Sequence, residues 1–206
     1  MPEKKGKLRA NTRNFQISKE IILQTALDML IRDGYSSINI KTLAKEIGCS
    51  TQHLVWHFDN MEGLRTALAE YARAYAKNKM TPSADNAVEA FERIGRAYVE
   101  IAVKEPNLFR FLYLDENKTK STNDFGAIIE SKNNAELIKK IAKYLGIKEE
   151  SVGRYLQNTI IYAHGIATLV ATNVISATEE EMMTMINRAA DGFLMQEGVP
   201  ADKIPQ

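Results

Sequence analysis

The chain has 206 residues, of which 45% are hydrophobic and 26% are charged, the balance of a soluble folded protein with one or two domains. Its net charge of +1 excludes a polycation, and its single cysteine, Cys49, excludes an internal disulfide framework. Because the N-terminus is polar and lacks the apolar stretch of a secretion signal, we expect a cytoplasmic protein.

The beginning of the chain is basic. Residues 1–20 carry six Lys or Arg against two Glu, and six minus two gives a local charge of +4. We expect residues 1–17 to form a flexible arm. On charge alone, such an arm is equally typical of a segment that contacts a polyanion and of a solvated tail.

Nearly every segment after the arm predicts α-helix, because apolar residues recur at helical spacing and no stretch alternates with a period of two. Ser18 is placed to begin the first helix as its N-cap, and Gly34 to end it. The fold class is therefore all-α. The nine expected helices cover about residues 18–33, 40–47, 50–57, 60–79, 84–104, 106–114, 124–145, 148–174 and 179–197.

Two capping boxes and one break organise the rest of the chain. Asp59 with Glu62 predicts the start of the long fourth helix, and Thr178 with Glu181 predicts the start of the last one. A break at residues 80–85 marks a domain boundary. The resulting parts are the arm (1–17), an N-terminal domain (18–80) and a C-terminal helical domain (81–206).

The N-terminal domain contains the pattern of a helix-turn-helix between residues 38 and 64. Ala44 is small where two helices must cross steeply, and Gly48 tolerates the positive φ of a tight turn. Ser50 then caps the next helix, whose first turn, residues 51–53, points away from the core. In a helix-turn-helix motif this turn enters the major groove of DNA.

Residues 18–68 resemble the DNA-binding part of the TetR/AcrR family of one-component repressors. The residues that carry the resemblance are Ile22, Ala26, Leu30, Gly34, Ile38, Leu43, Ala44, Ile47, Gly48, Ser50, Leu54, Trp56, His57, Phe58 and Leu64. Residues 162–167, YAHGIA, are also similar to a His-Gly element in the penultimate helix of many members. The resemblance implies an all-α homodimer that pairs through its last two helices and encloses an effector cavity between its middle helices.

Two positions depart from the family pattern. Where the family usually has a tyrosine before the tryptophan position, this chain has Val55, and where it usually has a lysine at the start of the fourth helix, this chain has Met61. In the family both side chains contact DNA phosphates. We therefore expect weaker nonspecific affinity and a flatter salt dependence, for which the basic arm could compensate by following a neighbouring groove.

The DNA-binding residues that this resemblance indicates are Lys41, Thr42, Ser50, Thr51, Gln52, His53, Trp56 and His57. Gln52 can bond an adenine through two hydrogen bonds, while Thr51 and His53 can contact base edges or a thymine methyl. The alternative for this turn is a solvated polar surface. For His57, contact with the DNA backbone and a packed side chain that holds the turn remain equally open.

Aromatic residues of the C-terminal domain are candidates to line the effector cavity. They are Tyr98, Phe109, Phe111, Tyr113, Phe125 and Tyr162, together with His164. Aromatic residues at helical spacing are more often plain core. His164 can bond a ligand or satisfy a buried carbonyl. Cys49 faces inward and is expected to be a small buried hydrophobe, with a redox-sensing thiol as its alternative.

The sequence thus predicts a transcriptional regulator, and more specifically a repressor that binds a palindromic operator in double-stranded DNA and is released by a small molecule. The alternative is an effector-independent architectural or partner-binding factor, which an absent or filled cavity would favour. We expect no enzyme, metal or cofactor, because the sequence contains no spaced His/Cys cluster, Gly-rich loop or nucleophile motif. Residues 155–178 lack charges, but frequent polar residues favour a buried helix over a membrane span.

Overall fold

The computed structural model describes residues 17–80, 87–114 and 132–204, and within these ranges it contains nine α-helices and no strand. The all-α prediction is confirmed. The helices are α1 (Lys19–Asp33), α2 (Ile40–Ile47), α3 (Thr51–Phe58), α4 (Met61–Lys79), α5 (Ala87–Lys104), α6 (Pro106–Tyr113), α7 (Lys132–Leu145), α8 (Glu149–Ala171) and α9 (Glu179–Gln196). Short 3₁₀ turns lie at Tyr35–Ser37 and Ala201–Lys203.

The bounds of α1 follow from its caps. The Ser18 hydroxyl accepts a hydrogen bond from the Ile21 N–H at 3.2 Å, which satisfies one of the free donors of the first turn. At the other end, Gly34 has a φ of 83°, a value that side chains with a Cβ disfavour. Between these caps, Ile22, Ala26 and other apolar residues of one face are buried.

The junction between α3 and α4 differs from the expected capping box. Asp59 does not cap α4, because it ends α3 with a φ of 60°, and the Asn60 N–H donates to the Phe58 carbonyl at 2.6 Å to close a γ-turn around it. Asn60 is the N-cap instead, and its side-chain oxygen accepts from the Gly63 N–H at 2.9 Å. The predicted capping box of Asp59 with Glu62 is therefore wrong, because the cap is Asn60 and the residue three positions on is Gly63, which has no side chain to bond back.

Helix α6 packs on α1 and α4, and the C-terminal helices α5 to α9 pack on one another. The capping box of Thr178 with Glu181 is confirmed at the start of α9. Helix α8 ends at Ala171 rather than near residue 174, and the N–H groups of Val174 and Ile175 both turn back to the Leu169 carbonyl. The predicted arm (1–17) and domain break (80–85) lie almost wholly outside the described residues.

Two groups of buried side chains form the core. The larger one runs from α1 through α6 and continues into α8 and α9. The smaller one joins α7 to the C-terminal half of α9 and the start of α8, with residues of α5 against it. Among the helices that the structure describes, none is long and apolar enough to cross a membrane.

Candidate functional site

The turn between α2 and α3 has the geometry that the sequence predicts. Gly48 lies in the left-handed region, with φ 78° and ψ 34°, and its N–H donates to the Ala44 carbonyl at 3.0 Å. Leu43, Ala44 and Leu54 are buried where the two helices cross. Cys49 is half-buried, and burial raises the pKa of its thiol, which favours an inert packing role.

Helix α3 presents a polar first turn to solvent. Thr51, Gln52 and His53 are exposed, whereas Leu54 and Phe58 of the same helix are almost fully buried. The helix is therefore fixed by one face while its first turn is free to meet a partner. Ser50 occupies the N-cap, but its hydroxyl contacts the His53 ring, with 3.0 Å between Oγ and Nδ1, and makes no bond to a backbone N–H.

The neighbouring predicted residues fall into two groups. Lys41 on α2 and Trp56 on α3 are exposed, and Trp56 keeps 74% of its surface accessible. Thr42 is exposed too, but its hydroxyl accepts from the Asn39 N–H at 3.0 Å and donates to the Ser37 carbonyl at 2.8 Å. The hydroxyl of Thr42 is thus used to start α2.

His57 is half-buried between the rings of Trp56 and Phe58. Its Nε2 donates to the carbonyl of Ile17 at 2.9 Å, so α3 is tied to the chain just before α1. This geometry favours the second interpretation of His57, a packed histidine that holds the local structure. The same bond places the point at which the basic arm joins the fold beside α3.

Two residues of this region were not singled out from the sequence. Asn39 forms a reciprocal capping box with Thr42, a pattern that the spacing Asn-x-x-Thr would have revealed. Gly63, in the first turn of α4, lies so close to the Phe58 carbonyl oxygen that a Cβ would overlap it. Its sequence signal is only its place three residues after Asn60.

A cavity of about 690 Å³ lies among α5, α6, α7, α8 and α9. Three of the predicted lining residues, Tyr98, Tyr113 and His164, contribute to its wall. The Tyr98 hydroxyl and His164 Nδ1 share a hydrogen bond of 2.6 Å, and the Tyr98 ring packs edge-on against that of Tyr113, with centroids 5.2 Å apart. These contacts bring together side chains from α5, α6 and α8.

The remaining predicted lining residues lie elsewhere. Phe109 and Phe111 are fully buried on the inner face of α6, where they pack against Tyr98 and Tyr35, and neither lines the cavity. Tyr162 turns towards Phe193 on α9. These three positions are corrected to core packing, because helical spacing does not distinguish a face that meets a neighbouring helix from one that meets a void. Phe125 lies outside the described residues.

The Tyr98 end of the cavity is uncharged at neutral pH. Burial lowers the pKa of His164 and so favours the neutral imidazole. Burial also raises the pKa of Tyr98 well above that of a free phenol, and it raises the pKa of Tyr113 to about 12. This end can therefore offer hydrogen bonds to a ligand without offering a charge.

The opposite end contains lining residues that the sequence interpretation missed as a group. They are Phe91 and Glu92 on α5, Tyr155 on α8 and Asp191 on α9. Phe91 belongs to the apolar series of α5 that includes Tyr98, and this shared face is the signal that could have placed it.

Helix α6 connects the cavity with the N-terminal helices. The Asn107 side-chain amide donates to the carbonyls of Ile31 and Arg32 at the end of α1, at 3.0 and 3.3 Å. Arg110 contacts the Asn107 side chain and donates to the Ala171 carbonyl at the end of α8, at 2.7 Å. Since Tyr113 of the same helix lines the cavity, α6 is in direct contact with both regions.

A second link joins α4 to the start of α6. The Tyr75 hydroxyl and the Lys79 ammonium both donate to Glu105 Oε1, at 2.8 and 2.6 Å. The other carboxylate oxygen of Glu105 is buried without a hydrogen-bond partner among the described residues. The C-terminal end of α4 is thus held to the same element that contacts the cavity.

Six large apolar side chains are exposed on α8, on α9 and on the turn between them. They are Ile161, Leu169, Val174, Ile175, Met185 and Met195. Ile161 also lines the cavity, and exposed apolar side chains in such number on two helices are typical of a protein interface.

Comparison with known proteins gives matches of three kinds, to a family model, to a known relative and to solved structures. Residues 22–68 match the family model of bacterial regulatory proteins, tetR family. The tetracycline repressor protein class C of Escherichia coli is 30% identical over 76 residues, which are 37% of this chain and 35% of that protein, so the match spans about a third of the length of this relative. In the part of the chain that the structure describes, no group of three or more His, Cys, Asp or Glu is placed to hold a metal ion.

Among the solved structures that match is a TetR variant from Acinetobacter baumannii in complex with minocycline. It superposes with a TM-score of 0.56 over 88% of this chain and 98% of that one, at 17% sequence identity, and so supports the fold. The matched N-terminal helices and the shared architecture agree with the resemblance carried by the sequence. The N-terminal helices thus match the tetR family of bacterial regulatory proteins, and the described fold is similar to that of TetR.

Proposed function

We propose that this protein is a sequence-specific DNA-binding transcriptional repressor that acts in the cytoplasm as a homodimer and is released from its operator by a small molecule. The observation that carries the DNA-binding part is the two-sided character of α3. Its polar first turn is exposed, while Leu54 and Phe58 anchor the helix in the core. A rigid helix with a free polar first turn is what major-groove recognition requires.

Within this proposal the exposed residues of α2 and α3 have different roles. Gln52 bonds a base edge, Thr51 and His53 contact neighbouring bases, and Lys41 contacts a phosphate. Trp56 lies against the DNA backbone. Ser50, Thr42 and His57 position these side chains, since their own polar atoms are bonded within the protein.

The dimer is proposed to form through α8 and α9. Two copies related by a twofold axis would cover the exposed apolar side chains of this face and place two α3 helices on the halves of a palindrome. Leu169→Glu or Met185→Glu should yield a monomer in analytical ultracentrifugation. Tyr144→Glu, which changes an exposed aromatic residue on α7, serves as the matched control. A monomeric parent protein would refute the proposed dimer.

The cavity supports ligand-dependent release. Its volume of about 690 Å³ falls within the ~300–1,000 Å³ that is typical of small-molecule sites, and the similar TetR structure holds minocycline. An unfilled cavity weighs against the effector-independent alternative. In our proposal the ligand binds more tightly to a form in which the two α3 helices no longer match the operator spacing, and so shifts the population towards that form.

Helix α6 and the end of α4 are the proposed route from the cavity to DNA. Asn107 holds the end of α1, and Glu105 holds Tyr75 and Lys79 of α4. A ligand that displaces Tyr113 would therefore disturb the contacts that α6 makes with both α1 and α4.

The test is fluorescence anisotropy of the full chain on DNA from upstream of its own gene, at several salt concentrations. We expect two subunits per site and a preference over scrambled duplex. Gln52→Ala removes one two-bond base contact of ~1–3 kcal/mol from each of the two subunits, so it should lower affinity for the operator by at least about 30-fold. Asn78→Ala, an exposed change at the far end of α4, should not lower it. Equal affinity for operator and scrambled duplex would refute sequence-specific recognition.

A further inference from the structure

We propose that the ligand of the cavity is an organic cation with an aromatic or otherwise apolar body. This inference rests on the proposed effector role of the cavity and names the chemical class that its wall favours. The wall consists mostly of apolar side chains, which select an apolar body. The charged residues of the wall determine which sign of charge on the ligand is favoured.

All charge on the described wall of the cavity is negative. Glu92 on α5 and Asp191 on α9 contribute carboxylates, and no Lys or Arg is among the described lining residues. Neither carboxylate forms an ion pair with a residue that the structure describes, although ion pairs join other carboxylates of both helices to nearby cations. Their charge therefore remains available to a ligand.

Both carboxylates lie beside an aromatic pair. Phe91 and Tyr155 meet edge-on with ring centroids 6.0 Å apart, and both line the cavity. Burial raises the pKa of Tyr155 to about 12, and the negative charges of Glu92 and Asp191 add to this shift, so both carboxylates act on the phenol. Aromatic rings next to carboxylates form a favourable site for a cation, which is attracted both by the π-faces and by the charges.

The other end of the cavity limits where the charge can reside. Phe91 and Tyr98 are seven residues apart on α5, which separates them by two helical turns, or roughly 10 Å. At that second end the Tyr98–His164 pair is neutral and hydrogen-bonded. A ligand with a cationic group near Phe91 and Tyr155 and an uncharged apolar body towards Tyr98 thus fits both ends.

The experiment compares two probes that share size and shape but differ in charge. Tetraphenylphosphonium and tetraphenylborate are titrated into the full chain by isothermal titration calorimetry in sodium buffer without DNA. We expect the phosphonium to bind at least tenfold more tightly than the borate. The double variant E92Q/D191N should reduce this ratio by about tenfold, on the basis of a partly screened Coulomb interaction with two carboxylates.

Two further variants show where the probe binds. E149Q/E180Q removes the same net charge from exposed positions in the first turns of α8 and α9, outside the cavity wall, and should leave the ratio unchanged. G95L adds a side chain at a cavity-lining position of α5 where a new Cβ meets no atom within 4 Å, so it should fold and weaken the binding of phosphonium.

Three results would overturn the inference: borate bound as tightly as phosphonium, a ratio that does not respond to E92Q/D191N, or no binding of either probe. Each leaves the proposed repressor function testable by operator binding, which requires no probe. Conversely, loss of sequence-specific DNA binding would refute the repressor proposal and leave the charge preference of the cavity measurable.

Discussion

The start of α4 offers a test of the proposed contact between this chain and the DNA backbone. Family members usually have a phosphate-binding lysine where this chain has Met61, which is the first residue of α4 and is half-buried against the core. A lysine at this position can leave its stem on the apolar surface and extend its ammonium group towards solvent. Met61→Lys should therefore restore one phosphate contact per subunit at little cost in stability.

The expected magnitude follows from counterion release. Each phosphate neutralised steepens the dependence of log K on log salt by about 0.9, so a dimer with two new contacts steepens it by about 1.8. Between 50 and 200 mM salt, the variant should then lose about 12-fold more affinity than the parent protein. Val55→Tyr, which adds a hydroxyl without a charge at an exposed position of α3, should raise affinity and leave the slope unchanged.

The assay is fluorescence anisotropy with a labelled duplex of random sequence, since phosphate contacts do not depend on base sequence. Asn78→Lys is the matched control, because it adds the same charge to α4 at roughly 25 Å from Met61, well beyond the screening length. An unchanged slope for Met61→Lys, or an equal increase for Asn78→Lys, would refute the placement of this helix start on DNA.

Three further predictions concern stability, each checked by urea unfolding. His57→Ala, which removes the hydrogen bond from α3 to the chain before α1, should lower the free energy of unfolding by about 1 kcal/mol, while the exposed Trp56→Ala should change it little. Gly63→Ala should lower it by about 2 kcal/mol because the new Cβ overlaps the last carbonyl of α3, whereas Gly153→Ala in open space on α8 should not; equal effects would contradict the packing argument. Because burial lowers the pKa of His164 from 6.5, the unfolded chain binds a proton first as the pH falls, so stability should decline from pH 7 towards pH 5; a decline just as steep in His164→Asn would contradict this assignment.

The N-terminal helices could be predicted because their signals are local. Ser18 and Gly34 determine where α1 begins and ends, and both lie next to it in the sequence. Gly48 provides the positive φ that the short turn between α2 and α3 requires. The error at Asp59 and Asn60 arises from the same kind of signal. Two adjacent residues can each cap a helix, and the choice depends on the γ-turn that ends α3, which no spacing rule anticipates.

The cavity was harder to predict because its wall is set by contacts between distant segments. Helical periodicity correctly identifies an apolar face on α6, but this face packs Phe109 and Phe111 into the core, while Tyr113 at the end of the helix reaches the cavity. Conversely, nothing in the sequence distinguishes Tyr155 from the other residues of its uncharged helix, and its role depends on the ring of Phe91, which α5 places beside it. Periodicity predicts which face of a helix a side chain occupies, but it does not predict whether that face meets another helix or a cavity.

The same limitation applies to the link between the two ends of the molecule. The segment from Asn107 to Tyr113 is an aromatic helix in the sequence, and the partners of its polar residues lie more than sixty positions away, in the last turns of α1 and α8. Because Asn107 and Arg110 are one turn apart, they face the same side, and both bond to helix C-terminal carbonyls that have no partner within their own helix. A shift of α6 would break these bonds together rather than one at a time. If a ligand beside Tyr113 displaces α6, the orientation of α1, and with it that of α3, must change in the same step.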